Sequence, residues 1–221
     1  MMVGDKMLKE NKIFSKIFMW MFVGLAITFG VGYYVSLNEN MLYNIFKSYY
    51  VILIIIELAL VIFLSAKINS MQPTTAKLLF CLYSFVTGLT FSSIFVVYQI
   101  TSIIYVFGIT ALLFLIFALI GYYTKIDLTK IGTYLIMGLI GIIICSIINM
   151  FVKSAAFNMT YIIIGLIIFI IYVAYDIQVI KNNLYNIENE DNQAIYGALQ
   201  LYLDFINIFL RLLQLFGKNK D

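Results

Sequence analysis

Two aspartates stand alone inside long apolar stretches near the C-terminus. Asp176 lies in Tyr172-Val173-Ala174-Tyr175-Asp176-Ile177-Gln178, and Asp204 in Leu201-Tyr202-Leu203-Asp204-Phe205-Ile206-Asn207. A carboxylate at membrane depth costs about 2.5–3.5 kcal/mol even on lenient insertion scales, so chains that keep two of them usually use them. Two carboxyls brought together in a low dielectric cannot both ionise; they share one proton and titrate as a pair. The chain has no histidine, which removes imidazole bases, histidine metal ligands and the usual switch near neutral pH. Proton chemistry inside the membrane therefore falls to carboxylates, with tyrosines in support.

A third acid, Glu57, lies in Ile54-Ile55-Ile56-Glu57-Leu58-Ala59-Leu60-Val61. Two readings stay open for it: it joins the wet cavity of the aspartate pair, or it binds a backbone group on its own. Lys67 follows ten residues later, about 15 Å along a helix, too far for a direct bond. Its default role is to snorkel at a span end, and its second reading is a latch. Gln200, Asp204, Asn207, Arg211 and Gln214 step by four, three, four and three, so one face of one helix carries five polar side chains. Such a face cannot meet lipid, which places the last helix at the centre of a bundle. Tyr172, Asp176 and Asn183 share a face by the same spacing. Counted from the ends of their helices, Asp176 and Asp204 fall about 9 and 15 Å deep, near enough to meet with a modest stagger. The expected lining of a cavity beside them is Glu57, Tyr172, Gln200, Asn207 and Arg211. Cys81 and Cys145 have no metal-ligand spacing and read as core packing.

The elements that must hold these side chains are membrane spans. The chain is 63% hydrophobic and 11% charged, against about 25% charged in soluble domains. Seven apolar runs near the length needed to cross about 30 Å of hydrocarbon occupy about 16–37, 48–68, 75–98, 102–123, 130–152, 158–181 and 193–216. The expected fold is an all-α, seven-helix transmembrane bundle over 16–217, preceded by a basic tail over 1–15 and followed by a short tail over 218–221. The connections are too short for a soluble domain, and no nucleic-acid partner is expected. With the N-terminus inside, 9 of the 14 basic residues fall on the cytoplasmic side, Lys6, Lys9, Lys12 and Lys16 among them and Lys153 not. That bias favours a cytoplasmic N-terminus; a re-entrant last segment would return Lys218 and Lys220 to the cytoplasm. Gly24, Thr28 and Gly32, and likewise Ser84, Gly88 and Ser92, recur every four residues and form faces that let helices approach closely.

Several stretches carry a family likeness: Gly197-Ala198-Leu199-Gln200-Leu201-Tyr202-Leu203-Asp204-Phe205-Ile206-Asn207, Ala174-Tyr175-Asp176-Ile177-Gln178, Glu57-Leu58-Ala59-Leu60-Val61, Leu64-Ser65-Ala66-Lys67-Ile68, Gly88-Leu89-Thr90-Phe91-Ser92-Ser93-Ile94-Phe95 and Asp127-Leu128. In these the chain resembles the Bax inhibitor-1, or transmembrane Bax inhibitor motif, family over nearly its whole length. The resemblance implies a pH-sensitive calcium leak governed by an aspartate pair, which by motif is Asp176 and Asp204. Calcium would be the transported ion, held weakly and transiently by that pair, with no cofactor. The family usually has arginine where Lys67 stands, and often a basic residue where Gln214 stands; here Arg211 lies one turn earlier. Lysine lacks the planar fork that grips a carboxylate, so a latch at Lys67 would be weaker or rearranged.

Two other readings remain. A regulatory protein could act by binding other membrane proteins, its aspartates being structural. An intramembrane aspartyl protease would also pair two aspartates, but Asp204 follows Leu201-Tyr202-Leu203 rather than Gly-x-Gly, and the only proline is Pro73, so no enzyme is expected. Abundant Ile, Lys, Asn, Tyr and Phe suit an AT-rich genome, and the expected location is a bacterial cytoplasmic membrane.

Overall fold

A computed structural model describes residues 3–152, 154–184 and 189–220. Lys153 and the side chain of Lys6, both used in the orientation argument, lie outside the described residues. The helices are α1 (Val3–Ser36), α2 (Glu39–Asn44), α3 (Tyr50–Lys67), α4 (Pro73–Val97), α5 (Ile100–Tyr123), α6 (Gly132–Val152), α7 (Ala155–Asn183) and α8 (Glu190–Phe216). Among the described residues, seven helical stretches are long and apolar enough to cross a membrane. Helix is what apolar runs must form in lipid, because only a helix satisfies every backbone group within its own segment.

Local signals set the boundaries. Pro73 opens α4 at its first turn, where its missing N–H costs nothing. Asn38 caps α2 by accepting from the Met41 amide at 3.1 Å. Asn189 caps α8 by accepting from the amides of Asp191 and Asn192 at 2.9 and 3.3 Å, with Glu190 and Asp191 in the first turn to meet the helix dipole. Two boundaries differ from the sequence reading. The basic tail is helical from Val3, so α1 starts well before residue 16. Span two is preceded by α2 and a π-helical turn over Ile45–Tyr49, which its apolar composition concealed.

The chain divides into two compact units. The first comprises Met1–Gln99, Asn183–Tyr202 and Asn219–Asp221. Here the two small-residue faces meet: a Cβ added to Gly88 would lie 2.9 Å from the Thr28 carbonyl oxygen, and one added to Gly32 would lie 3.1 Å from the Gly88 carbonyl oxygen. The rings of Phe80 and Tyr83 stand edge-on to Tyr202 at 5.9 and 5.8 Å. At one end, Lys16 of α1 and Lys77 of α4 both hold Asp191, at 2.7 and 2.6 Å, and Lys12 holds Glu190 at 3.2 Å. At the other, the Lys220 amide reaches the Val97 carbonyl at 2.9 Å and its Nζ the Phe95 carbonyl at 2.7 Å. The chain therefore enters α8 beside the start of α4 and leaves it beside the end of α4.

The second unit comprises Ile100–Asn182 and Leu203–Lys218. Phe107 and Phe114 of α5 pack on Phe205 at 5.2 and 5.8 Å. Gly121 sets the closest approach of α5 to α7: an added Cβ would fall 2.2 Å from the carbonyl oxygen of Ala174. The last helix contributes buried residues to each unit: Ala194, Ala198 and Leu201 in the first, and Phe205, Phe209 and Leu213 in the second.

Candidate functional site

Asp176 and Asp204 come together in the second unit. Asp176 is 7% exposed and Asp204 4% exposed, and their carboxyls lie close enough to interact. Two ionised carboxylates only accept, so a hydrogen bond between them would need a proton on one of the two. Oδ2 of Asp204 is buried with no hydrogen-bond partner among the described residues. Buried carboxyl oxygens are rarely left in that state, which marks the pair as a place where the fold keeps an unsettled polar group.

The backbone around the pair is held from several sides. Gly121 admits Ala174, two residues before Asp176, and Gly132 leaves room for the Tyr175 ring, whose hydroxyl would lie 2.5 Å from an added Cβ. Tyr175 packs edge-on against Tyr172 at 6.0 Å, and Tyr172 lies within electrostatic reach of both aspartates. One turn on, Gln178 spans the loop between α5 and α6: its Oε1 accepts from the Leu128 amide at 2.7 Å and its Nε2 donates to the Ile126 carbonyl at 2.8 Å. Lys181 donates to the Tyr122 carbonyl at 2.9 Å. Asp127 caps the 3-10 turn Leu128–Ile131. Hydrogen bonds from the Thr129 hydroxyl and amide hold its carboxyl below the ordinary carboxylate range.

The remaining expected site residues are more dispersed. Asn207 turns its amide back to the Leu203 carbonyl at 2.8 Å. Arg211 lies over the Tyr161 ring, 5.2 Å from its centroid, in space left by Gly165. Gln200 is half-buried in the first unit; Gln214, at the far end of the stripe, and Asn183 are exposed. Lys67 is exposed at the end of α3 and makes no ion pair among the described residues. Glu57 accepts from two hydroxyls of α4, Thr87 at 2.9 Å and Thr90 at 3.2 Å; its partners are side-chain hydroxyls rather than a backbone group. Asp176 and Asp204 form a group of two, and no cluster of three or more potential His, Cys or acidic ligands occurs among the described residues. A calcium ion there would take most of its six to eight oxygens from neutral groups and water.

Gln178, Thr87, Thr90 and the Asp191 ion pairs were not singled out by sequence. For Gln178 the usable signal was an amide at a span end facing a short loop; for Thr87 and Thr90 it was two hydroxyls one turn apart.

Taken together, the fold and the pair define a multi-pass α-helical membrane protein with two buried, neighbouring carboxyls on two of its apolar helices. The sequence matches, over residues 10–221, the family described as inhibitor of apoptosis-promoting Bax1. The chain belongs to this Bax inhibitor family. It is 42% identical to an uncharacterized protein of Borreliella burgdorferi, covering 98% of this chain and 96% of that one. It is also 42% identical to the inner membrane protein YbhL of Escherichia coli K12, over 93% and 91%. An uncharacterized membrane protein of Streptococcus pyogenes serotype M1 is 33% identical over 95% and 93%.

Proposed function

We propose that this protein is a pH-gated calcium leak of a bacterial cytoplasmic membrane, its N-terminus in the cytoplasm. The observation that carries the reading is the burial of Asp176 and Asp204 side by side, close enough for their carboxyls to interact. One proton held there joins α7 to the second half of α8. Removing it sets two anions side by side in a low dielectric, which costs several kcal/mol unless they separate or admit a cation between them. Either outcome changes the contact, so occupancy by a proton or by calcium and the state of the gate are one equilibrium. Tyr172, Asn207 and Arg211 line the ion's path near the pair, and calcium passes as cargo, weakly held.

The test is calcium flux from liposomes holding the purified protein, measured across pH. Asp176→Asn and Asp204→Asn keep the size of the side chain and remove the shared titration. Each variant should leak with most of its pH dependence gone. Wild-type pH profiles in both variants would show that the pair is not the sensor, and the absence of flux from wild-type protein at every pH would favour the reading in which the protein acts on membrane partners.

A further inference from the structure

The amide of Gln178 is buried, at 8% exposure, and both of its polar atoms are bonded to backbone. The Leu128 amide donates to Oε1 at 2.7 Å, and Nε2 donates to the Ile126 carbonyl at 2.8 Å. Those two groups flank Asp127 in the loop between α5 and α6, where the backbone is extended at φ −76° and ψ 95°. An extended residue leaves the carbonyl before it and the amide after it on one edge, as in a strand. A primary amide offers a donor and an acceptor side by side, so Gln178 pairs with that edge as a neighbouring strand would. The Asp127 carboxyl accepts from the Thr129 amide at 3.1 Å and shapes the same loop. All of these residues belong to the second unit.

Where Gln178 stands on α7 gives these bonds a consequence for the aspartates. At about 3.6 residues per turn it lies about 200° round the helix from Asp176, and Ala174 and Lys181 lie about 160° and 140° round. All three meet the helical hairpin of α5, its loop and α6: the Ala174 backbone abuts Gly121, and Lys181 donates to the Tyr122 carbonyl at 2.9 Å. The hairpin therefore grips the side of α7 opposite Asp176. Contact with Gly121 limits how closely the helices approach, whereas two bonds in the plane of one amide fix the angle between them. We infer that Gln178 is a positioning residue for the aspartate pair: by clasping the loop it sets the roll of α7 that turns Asp176 towards Asp204.

The charged groups around the clasp are Lys125, Asp127 and Lys130 of the loop, all exposed, and Lys181 of α7. Tyr122 of α5 lies under Lys181, and Tyr172 and Tyr175 of α7 pack together beside the pair. From α8, Arg211 stands seven residues beyond Asp204, about 10 Å along the helix. Gln178 itself is neutral. Gln178→Met keeps its length and removes both bonds without adding or removing a charge, so any change it makes in the titration of the pair comes through geometry.

The inference rests on the reading of the pair as the pH sensor, and the pH profile of calcium leak from liposomes holding the full chain tests the two separately. Gln178→Met should move the midpoint of the profile by about one pH unit, a tenfold change in the hold on the proton. Asn149→Ala removes the 3.1 Å bond from α6 to Asn158, near the start of α7, and should leave the midpoint in place. Asp127→Ala loosens the loop from its other side; it should move the midpoint in the same direction and add little to Gln178→Met, because both act through one loop. It also carries the test where Gln178→Met does not fold. Where wild-type protein gives no flux, the infrared carboxyl band lost in Asp176→Asn and Asp204→Asn replaces the leak as the quantity titrated. An unmoved midpoint in Gln178→Met, an equal shift in Asn149→Ala, or full additivity of the two loop variants would overturn the inference and leave the sensor standing. Wild-type profiles in both aspartate variants, or no carboxyl band assignable to the pair, would overturn the sensor and the positioning role together.

Discussion

Replacing Gly121 with alanine drives a methyl group into the backbone of α7. The new carbon would lie 2.2 Å from the Ala174 carbonyl oxygen and 2.7 Å from its Cα, where ordinary contacts begin near 3.4 Å. The obstacle is backbone, which cannot swing aside as a side chain can, so the two helices must part by about 1 Å. Overpacking of this kind costs about 1–3 kcal/mol, against a gain of about 0.5–1 kcal/mol for alanine over glycine within a helix. Gly108 on the same helix supplies the control: nothing lies within 4 Å of a Cβ added there, so Gly108→Ala should keep the helix gain and incur no clash. The two variants should differ by about 1–3 kcal/mol, Gly121→Ala being the weaker, in reversible unfolding by SDS from mild detergent followed by circular dichroism. Because Ala174 is two residues from Asp176, the same variant should also disturb the proposed gate and the pH profile of the leak. Equal stability of the two variants would refute the close approach of α5 and α7.

The Asp191 ion pairs and the Asp127 cap give two further expectations. Asp191→Ala removes two lysine contacts and an acid at a helix start, at a site about one-third exposed; the loss should be about 1–2 kcal/mol at low salt and shrink in molar salt, and a loss insensitive to salt would contradict an electrostatic origin. Asp127 has its carboxyl held down by Thr129, so its contribution is present above the ordinary value of about 4 and disappears as pH falls below it. Hydrogen exchange at the Thr129 amide should show wild type better protected than Asp127→Ala near neutral pH, with the gap shrinking as pH falls through the lowered value of the folded protein; equal protection of the two near neutral pH would rule out the cap.

What could be read from the sequence was whatever broke a strong local rule. Asp176 and Asp204 violate the apolar pattern, and their depth along two neighbouring helices was enough to bring them together. The faces of Gly24-Thr28-Gly32 and Ser84-Gly88-Ser92 were legible because close packing demands small residues at a fixed period. That the tail is helical from Val3 was not legible, since lysines and glutamates on an extended helix look the same as those of an irregular tail. The hydroxyl partners of Glu57 were silent for another reason: Thr87 and Thr90 lie about thirty residues away in the chain, each unremarkable among apolar neighbours. Gln214 shows the limit of periodicity, since the stripe continued in register but the burial did not. Position along the helix decided that, not the face.

The order of the chain also has a meaning for how the protein is made. Of the seven spans, α8 is the least apolar, and it carries an aspartate and an arginine that would each cost about 2.5–3.5 kcal/mol on entering lipid alone. It is translated last, when helices that can accommodate those groups already stand in the membrane. Until then Asp176 waits in an incomplete protein without the residue it pairs with. A nascent chain stalled before residue 190 would leave a solitary acid exposed within the bilayer, a feature by which quality-control machinery could recognise an unfinished copy.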